Sequence, residues 1–154
     1  MVDCRIRPAH PDDAPAVSEV IVAALRETNA RDYTPSVIWR LEQSFSPDCV
    51  RALIGKRKTF VAVVAGSRIV GTAGLDGSVV RTVFVAPDVQ GQGVGRLLMA
   101  EIERASRAAG LETLTVPSSV TAESFYAKLG FKALRDSYHG EERTIIVERS
   151  LAPP

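Results

Sequence analysis

A glycine-rich loop between a strand-like run and a helical pattern constrains this chain more than any other feature. Residues 83–98 read Val-Phe-Val-Ala-Pro-Asp-Val-Gln-Gly-Gln-Gly-Val-Gly-Arg-Leu-Leu, so an apolar strand stops at a proline, a loop with three glycines follows, and an amphipathic helix begins. Such a loop presents bare backbone N–H groups to an anion, and the helix dipole adds about half a positive charge there. The pattern indicates a phosphate cradle, to which Arg96 adds a full charge.

Two common phosphate-binding loops do not fit these residues. A Walker A loop continues with lysine and then serine or threonine, whereas Arg96 and Leu97 follow the last glycine here. The Rossmann fingerprint places its third glycine three residues after the second, whereas Gly95 comes two residues after Gly93, and the acidic residue of a second βαβ strand is missing. Taken alone, the loop is better explained as a flexible surface turn, so its function depends on the rest of the chain.

Hydrophobic periodicity and turn residues predict the order of elements along the chain. Helices are predicted from Asp12 or Asp13 to about Thr28, from Pro35, from Ser46 to Gly55, over 95–109 and over 122–129. Strands are predicted over 4–7, 59–64, 68–75, 78–85 and 111–116, and the last strands at Phe131 and over 144–147, around a polar hairpin at 136–142. Antiparallel hairpins followed by strand–helix–strand units predict an α/β fold with a mixed sheet and helices on both faces.

Composition and charge exclude several classes of protein. The chain has 154 residues, which fits one domain over 1–154, and its net charge of +1 provides no basic field for nucleic acid or an anionic membrane. No apolar run approaches the roughly 20 residues of a bilayer span, and the first residues lack the apolar stretch of a secretory signal. Cys4 and Cys49 stand far apart without a CxxC motif, so we expect a reduced, cytoplasmic protein without a metal site.

Two spaced motifs narrow the choice of ligand. The first resembles the acetyl-CoA signature of the GNAT superfamily of N-acetyltransferases: Val85-x-Pro87, then Gln90-x-x-Gly93-x-Gly95. The second resembles that family's other signature: Ser119-x-x-Ala122-x-x-Phe125-Tyr126-x-Lys128-x-Gly130-Phe131. The resemblance implies a GNAT-like, mostly antiparallel sheet of six to seven strands. It also implies that acetyl-CoA is the cosubstrate and that its acetyl group passes to a primary amine of a small molecule or protein by direct attack on the thioester.

The resemblance further implies which residues hold the cofactor. Backbone groups of Val83, Phe84 and Val85 would pair with the pantetheine arm as if it were an added strand. The remaining cofactor residues would be the loop that cradles the pyrophosphate and its flanking positions, namely Gln90, Gly91, Gln92, Gly93, Val94, Gly95, Arg96 and Ser119. In this family the strand corresponding to 111–116 splays from its neighbour to admit the pantetheine arm. Pro117 fits such a parting because proline donates no ladder hydrogen bond.

Two residues are predicted to take part in the reaction. Negative charge that builds on the thioester oxygen needs a preorganised N–H, which the family places at a strand bulge, here Val85. The departing thiolate needs a proton, and Tyr126 matches the family's tyrosine acid and also borders the cofactor. Packing is the alternative for Tyr126, because Phe125 precedes it and a helix stop at Gly130 brings Phe131 onto one of the two rings.

The sequence departs from the family where a base is expected. Many members carry a glutamate on the strand before the loop, but residues 80–83 read Val-Arg-Thr-Val. Candidates for the base are Asp76, Glu27 and His139, each of which is also explained as a turn, helix-end or loop residue, and an acceptor amine of low pKa would need no base. This gap leaves a second hypothesis open, an acyl-CoA-binding sensor or regulatory module with little or no turnover.

No motif identifies the acceptor. We expect its site between the polar break at 29–34 and the hairpin at 136–142, because loops of this kind carry specificity. Tyr33 and Trp39 are candidates to wall that site, although a lone tryptophan more often packs in a core. The expected partners are therefore acetyl-CoA and an unidentified amine, without nucleic acid or membrane, and a homodimer stays open.

Overall fold

A computed structural model describes residues 3–151, which form one mixed sheet with helices packed against it. The strands are β1 (Arg5–Pro8), β2 (Lys58–Val64), β3 (Arg68–Asp76), β4 (Val79–Val85), β5 (Thr113–Ser119), β6 (Lys132–His139) and β7 (Glu142–Ser150). The helices are α1 (Ala14–Glu27), α2 (Pro35–Ser44), α3 (Pro47–Lys56), α4 (Val94–Ala108) and α5 (Glu123–Lys128). The Ala-Pro-Pro tail at 152–154, which its sequence predicts to fray, lies outside the described residues.

The sheet has the strand order β1-β2-β3-β4-β5-β7-β6, and each neighbouring pair is antiparallel except β4 with β5. A side chain built at Gly71 of β3 would meet α4, whereas the next residue, Thr72, lines a small cavity with residues of α1 and α3. Because successive strand residues point to opposite faces, α4 covers one face and α1 with α3 the other. The seven-stranded, mostly antiparallel sheet with helices on both faces confirms the fold predicted from the sequence.

Local side-chain contacts explain where α2 and α3 begin. The hydroxyl groups of Thr34 and Ser46 each accept the backbone N–H three residues further on, at 3.3 Å, and proline occupies the first helical position after both. Asp13, expected as a possible cap of α1, makes no such bond. Its carboxylate instead accepts two hydrogen bonds from Arg7 and one from the backbone of His10. That ion pair ties the start of α1 to β1.

The C-terminal strands are longer than predicted. β5 does not stop at Pro117 but continues to Ser119, paired with β7 throughout. Proline is tolerated there because β4 has already diverged, so no ladder hydrogen bond is lost on that side. β6 and β7 also include most of the segment predicted as a polar loop, leaving Gly140 and Glu141 as the turn. β6 is an edge strand exposed along its whole length, so its polar residues lack the alternation that would indicate a strand.

The two central strands separate almost as soon as they meet. β4 and β5 are in register at a single pair, Val79 with Thr115, beside a hydrogen bond of 3.1 Å from the Thr115 N–H to the Ser78 carbonyl. From there they diverge towards their carboxyl ends at Val85 and Ser119. The result is a V-shaped gap in the middle of the sheet, at the place where the sequence led us to expect a parting.

Candidate active site

A cleft of about 510 Å³ occupies the gap between β4 and β5. Its walls are the end of α1, the outer part of β4, the glycine loop with the start of α4, the end of β5, and α5. The predicted site residues that line it are Val83, Phe84, Val85, Gln90, Gly91, Gly93, Val94, Gly95, Arg96, Ser119 and Tyr126. Gln92 was predicted with them but is not part of this lining. The two motifs, about 30 residues apart in the sequence, therefore meet in one cleft.

The free edge of β4 faces the cleft. Val85 lies opposite Gly71 of β3, and the next residue, Ala86, donates its N–H to the Val70 carbonyl at 2.8 Å. Because successive backbone groups of a strand point to opposite edges, the N–H of Val85 points away from β3. β5 has diverged at this level, so this N–H is open to an extended ligand.

The bulge in β4 lies earlier than predicted. Between two regular pairs, three steps along β4 correspond to two along β3, so one extra residue is inserted at 82–83. Thr82 has a φ of +57°, a region that a β-branched residue rarely adopts, and its hydroxyl accepts a hydrogen bond of 3.1 Å from Arg57. The prediction that put the bulge at Val85 is wrong, because Val85 keeps the regular register with Gly71.

The glycine loop leaves the first turn of α4 without internal hydrogen bonds. Gly91 and Gly93 have φ angles of +77° and +89°, which favour glycine, and Gly93 is the N-cap of the helix. The first helical bond runs from the Leu97 N–H to the Gly93 carbonyl, at 3.1 Å. The N–H groups of residues 94–96 precede it and have no acceptor within the helix. With the exposed Arg96 beside them, they have the geometry and charge of an anion-binding site.

Glycine is required at position 95 for a different structural reason than at positions 91 and 93. A Cβ at this position would lie 3.1 Å from two ring carbons of Phe125, which is closer than side chains normally approach. Glycine is therefore needed where α4 passes α5. The backbone N–H of Gly95 remains one of the free donors at the helix start, so the residue serves both the packing and the cleft.

The side chains of Gln90 and Ser119 are occupied by the protein itself. The Gln90 amide donates to the Thr28 hydroxyl and to the Val85 carbonyl, both at 3.2 Å. The Ser119 hydroxyl accepts the Ala122 N–H at 3.1 Å and so starts the turn into α5. These two residues hold the walls of the cleft in place, and a direct contact with cofactor stays a prediction.

The ring of Tyr126 is buried, whereas its hydroxyl opens to the cleft. The residue is 4% exposed, and its ring packs edge-on against Phe125 and Phe131, with centroids 5.1 and 5.6 Å apart. Within residues 3–151 the hydroxyl has no hydrogen-bond partner, and no unpartnered side-chain polar atom is sealed off, so the hydroxyl keeps access to the cleft that it lines. Burial raises the pKa of this phenol above its ordinary value, so it holds its proton.

None of the three candidates for a base lines the cleft. Asp76 lies 3.6 Å from Arg81 in an exposed ion pair at the β3–β4 turn, and Glu27 and His139 are exposed at the end of α1 and of β6. Among the described residues, the cleft lining contains no Asp, Glu or His. The structure therefore brings the acid candidate to the site without a carboxylate or imidazole base.

Residues 28–34, which we call the strap, cross the open side of the cleft. Gln90 holds the first residue of the strap to the glycine loop. At the other end, the Thr121 hydroxyl donates to Asp32 at 2.7 Å, and the Val120 N–H donates to the Tyr33 hydroxyl at 2.8 Å. The strap thus connects the β4 side of the gap with the β5 side.

The strap also contacts the β6–β7 hairpin. The Tyr33 hydroxyl donates to the Arg143 carbonyl at 2.6 Å, and the Thr34 hydroxyl lies 3.2 Å from a Glu141 carboxylate oxygen. These contacts join the strap to the hairpin, and an acceptor site between the two segments stays a prediction. Trp39 is 65% exposed on α2, so packing in the core is the wrong alternative for it, and it does not line the cleft between β4 and β5.

Sequence reasoning gave no individual role to several cleft residues, among them Asn29 and Thr82. Asn29 belongs to a polar break after α1, and Thr82 follows the apolar pattern of a strand, so neither position carries a motif. Their importance arises from contacts with distant segments, which periodicity does not report. Residues 3–151 contain no cluster of three or more His, Cys, Asp or Glu side chains that could hold a metal ion, and none of their helices is long and apolar enough to cross a membrane.

Comparison with known proteins assigns the family. Residues 29–145, more than half of the chain, match the model of the acetyltransferase (GNAT) domain. The chain therefore belongs to the GNAT family of acetyltransferases. The peptidyl-lysine N-acetyltransferase YjaB of Escherichia coli is 38% identical over 86 residues, which cover 55% of this chain and 56% of that protein. The chain spans about half the length of the curated relatives that it matches.

Several solved structures resemble this chain over nearly its whole length. The GCN5-related N-acetyltransferase from Rhodopseudomonas palustris is 26% identical, with a TM-score of 0.91 over 97% of both chains. The apo form of Escherichia coli YjaB is 25% identical, with a TM-score of 0.72 over 99% of this chain and 100% of that one. The PaiA N-acetyltransferase from Thermoplasma acidophilum, solved with coenzyme A, shares the fold at 19% identity, with a TM-score of 0.80 over 97% and 99% of the two chains.

Proposed function

We propose that this protein transfers the acetyl group of acetyl-CoA to a primary amine. The observation that carries the proposal is the V-shaped gap, in which the open edge of β4 leads directly to the bare N-terminus of α4. Acetyl-CoA has a matching layout, because its pantetheine amides can pair with a strand edge while its pyrophosphate reaches a helix N-terminus. Membership of the GNAT family and the coenzyme A complex of the Thermoplasma relative support the same choice.

The proposed reaction is direct attack of the amine on the thioester carbonyl carbon. The new C–N bond forms, negative charge builds on the carbonyl oxygen, and the C–S bond then breaks. We assign the stabilising N–H to Val83, since the adjacent bulge changes the direction of the backbone there, and the pantetheine contact to Val85. Tyr126 would donate a hydrogen bond or its proton to the departing sulfur, and the proton lost by the acetylated nitrogen balances the one gained by the thiol.

We further propose that the acceptor reacts as the neutral amine without help from a carboxylate. No Asp, Glu or His of the described residues lines the cleft. The Arg57 guanidinium beside Thr82 adds positive charge near β4, which favours a neutral over a cationic amine. In this arrangement the enzyme contributes position and oxyanion stabilisation, while the acceptor's own pKa decides how much of it can react.

A lysine-containing peptide is the first acceptor to test, because the Escherichia coli relative is named for peptidyl-lysine. Purified protein, acetyl-CoA and the peptide should release free thiol, and mass spectrometry should find one added acetyl group. A panel of small primary amines run in parallel distinguishes a peptide from a small-molecule acceptor. Tight acetyl-CoA binding without thiol release for any amine would favour the sensor hypothesis, and no binding would overturn the assignment of the cleft.

A further inference from the structure

Asn29 is a buried polar residue whose side chain has no partner. It is 8% exposed, and no other residue of 3–151 bonds its carboxamide. The four other buried polar residues of this part of the chain, Ser18, Thr72, Ser106 and Ser118, all use their hydroxyls in hydrogen bonds to backbone carbonyls. No unpartnered side-chain polar atom of the described residues is sealed off from solvent, so the hydrogen-bonding capacity of this amide is left to water or to a ligand in the cleft.

The carboxamide is not closed off from the cleft. Asn29 lines it, and no unpartnered side-chain polar atom in the described residues is closed off from solvent, so the amide atoms have access to the cleft volume. The strap fixes the position of Asn29 at both ends, through Gln90 before it and through Asp32 and Tyr33 after it. The backbone that carries the amide is thus held in place at the cleft.

The position of Asn29 indicates which ligand it meets. The cofactor, as proposed above, takes its hydrogen bonds from the β4 edge and from the start of α4. Asn29 instead follows α1, and α1 covers the opposite face of the sheet from α4. A group that enters from the α1 face and reaches the thioester is the attacking amine.

We propose that the Asn29 carboxamide positions the acceptor amine in this cleft, whose described lining contains no carboxylate. The inference rests on the proposed acetyl transfer. The Oδ1 atom accepts one N–H of the neutral amine and so directs the nitrogen lone pair at the thioester carbon. A carboxamide is far too weak a base to remove a proton, so Asn29 orients the amine and leaves its protonation state to solvent.

The test compares Asn29→Leu, which keeps the size of the side chain, with Asn29→Asp, which keeps an acceptor oxygen. For the leucine variant we expect kcat/KM for the lysine peptide to fall about 10-fold or more, the value of one lost hydrogen bond. The Kd of acetyl-CoA should not change, and the Tm should stay the same or rise, since no protein contact is lost. The aspartate variant should retain more of the activity than the leucine variant.

A bisubstrate conjugate separates this inference from the proposed function. In it, the sulfur of coenzyme A is joined through a –CH2–CO– group to the Nε atom of the peptide lysine. Asn29→Leu should weaken this conjugate about 10-fold while leaving coenzyme A itself unaffected, whether or not the wild type turns over. An inactive wild type would defeat the proposed acetyl transfer, whereas an unchanged conjugate affinity would defeat the role of Asn29.

Ser18→Ala provides the matched control. Ser18 is a buried polar residue of α1 whose hydroxyl donates to the Phe45 carbonyl at 2.6 Å, and it does not line the cleft. This variant should lower the Tm and leave the kinetics unchanged, the reverse of the pattern for Asn29→Leu. A fall in Tm for Asn29→Leu would show a structural role instead, and a selective loss of acetyl-CoA affinity would assign the amide to the cofactor. Either result overturns the proposal.

Discussion

At the scale of single residues, burial determines what Tyr126 can do. Its ring fills a space between Phe125 and Phe131, and its hydroxyl is the part that reaches the cleft. Because burial raises the pKa of the phenol, Tyr126 stays protonated at neutral and moderately alkaline pH. The packing role and the acid role are therefore compatible, since different parts of the side chain perform them.

Replacing Tyr126 by phenylalanine should separate these two roles. The change removes a hydroxyl without a protein partner, so the ring packing and the Tm should be nearly unchanged. If the hydroxyl assists the departing thiolate, kcat should fall about 100-fold, within the range for general acid catalysis, while the Kd of acetyl-CoA stays constant. The control is Tyr138→Phe on the exposed strand β6, where the residue is 65% exposed. Equal rates for the two variants would leave Tyr126 with packing alone.

The pH dependence of the rate should follow the acceptor rather than the enzyme. Without a carboxylate or imidazole in the cleft lining, kcat/KM should rise tenfold per pH unit until the amine's own pKa, about 10.4 for a lysine side chain and about 8 for a peptide α-amine. The raised pKa of Tyr126 means that its proton is not lost over this range, so no falling limb should appear below about pH 10. Measuring both acceptors checks this, because a shared limb near pH 6–7 would reveal a base on the enzyme.

At the scale of elements, the N-terminus of α4 is shaped by glycines with different functions. Gly91 and Gly93 have positive φ angles, whereas Gly95 is helical and lies against Phe125 of α5. A substitution at Gly93 strains the backbone by about 1–2 kcal/mol before it affects any ligand. Gly95 is therefore the position at which packing between two elements can be tested.

We expect Gly95→Ala to destabilise the fold although alanine is the better helix former. The new methyl would lie 3.1 Å from two Phe125 carbons, and such overpacking costs about 1–3 kcal/mol against a helix gain of up to about 1 kcal/mol. Gly55→Ala in α3 is the control, because no atom lies within 4 Å of its Cβ position. Thermal unfolding should show a lower Tm for the first variant and a higher one for the second, and a higher Tm for both would mean that α5 yields to the methyl group.

At the scale of the whole molecule, the V-shaped gap divides the sheet into two parts. Strands β1 to β4 and strands β5 to β7 share one pair of residues in register, Val79 with Thr115. The strap provides further connections across the gap, from Gln90 on one side to Thr121 on the other. A ligand that bonds to β4 and fills the cleft would add contacts where the sheet has fewest, so binding and stability should be coupled.

Acetyl-CoA should therefore raise the free energy of unfolding of the folded chain. Ligand at 100 times its Kd contributes about 2.7 kcal/mol, which a thermal scan would record as a clear rise in Tm. At the same acetyl-CoA concentration, the Tm of the Arg96→Gln variant should rise less than that of the wild type, because the substitution removes a cation beside the free N–H groups of α4. Arg51→Gln, which breaks an exposed ion pair with Asp48, is the control, and acetyl-CoA should raise its Tm as much as that of the wild type. A wild-type protein without any shift at millimolar acetyl-CoA would contradict the cofactor assignment.

The sequence by itself determined the features that depend on neighbours along the chain. The glycine loop, the helix starts at Pro35 and Ser46, the helix stop at Gly130 and the mixed sheet follow from periodicity and turn chemistry, and the structure contains them. The family, too, could be recognised from two local motifs. These are interactions between residues a few positions apart, so their signal is readable before the chain is folded.

Only the tertiary structure decided features that depend on distant partners. The bulge at 82–83 is defined by register against β3, and the continuation of β5 through Pro117 depends on the divergence of β4. The burial of Asn29 depends on the strap, which is held in place by residues far along the chain. Trp39 is exposed because no other described element covers its side of α2. Composition and spacing describe each residue's own preference, whereas burial and the lack of a partner are properties of the surrounding packing, which is why the unpartnered amide could be found only in the folded chain.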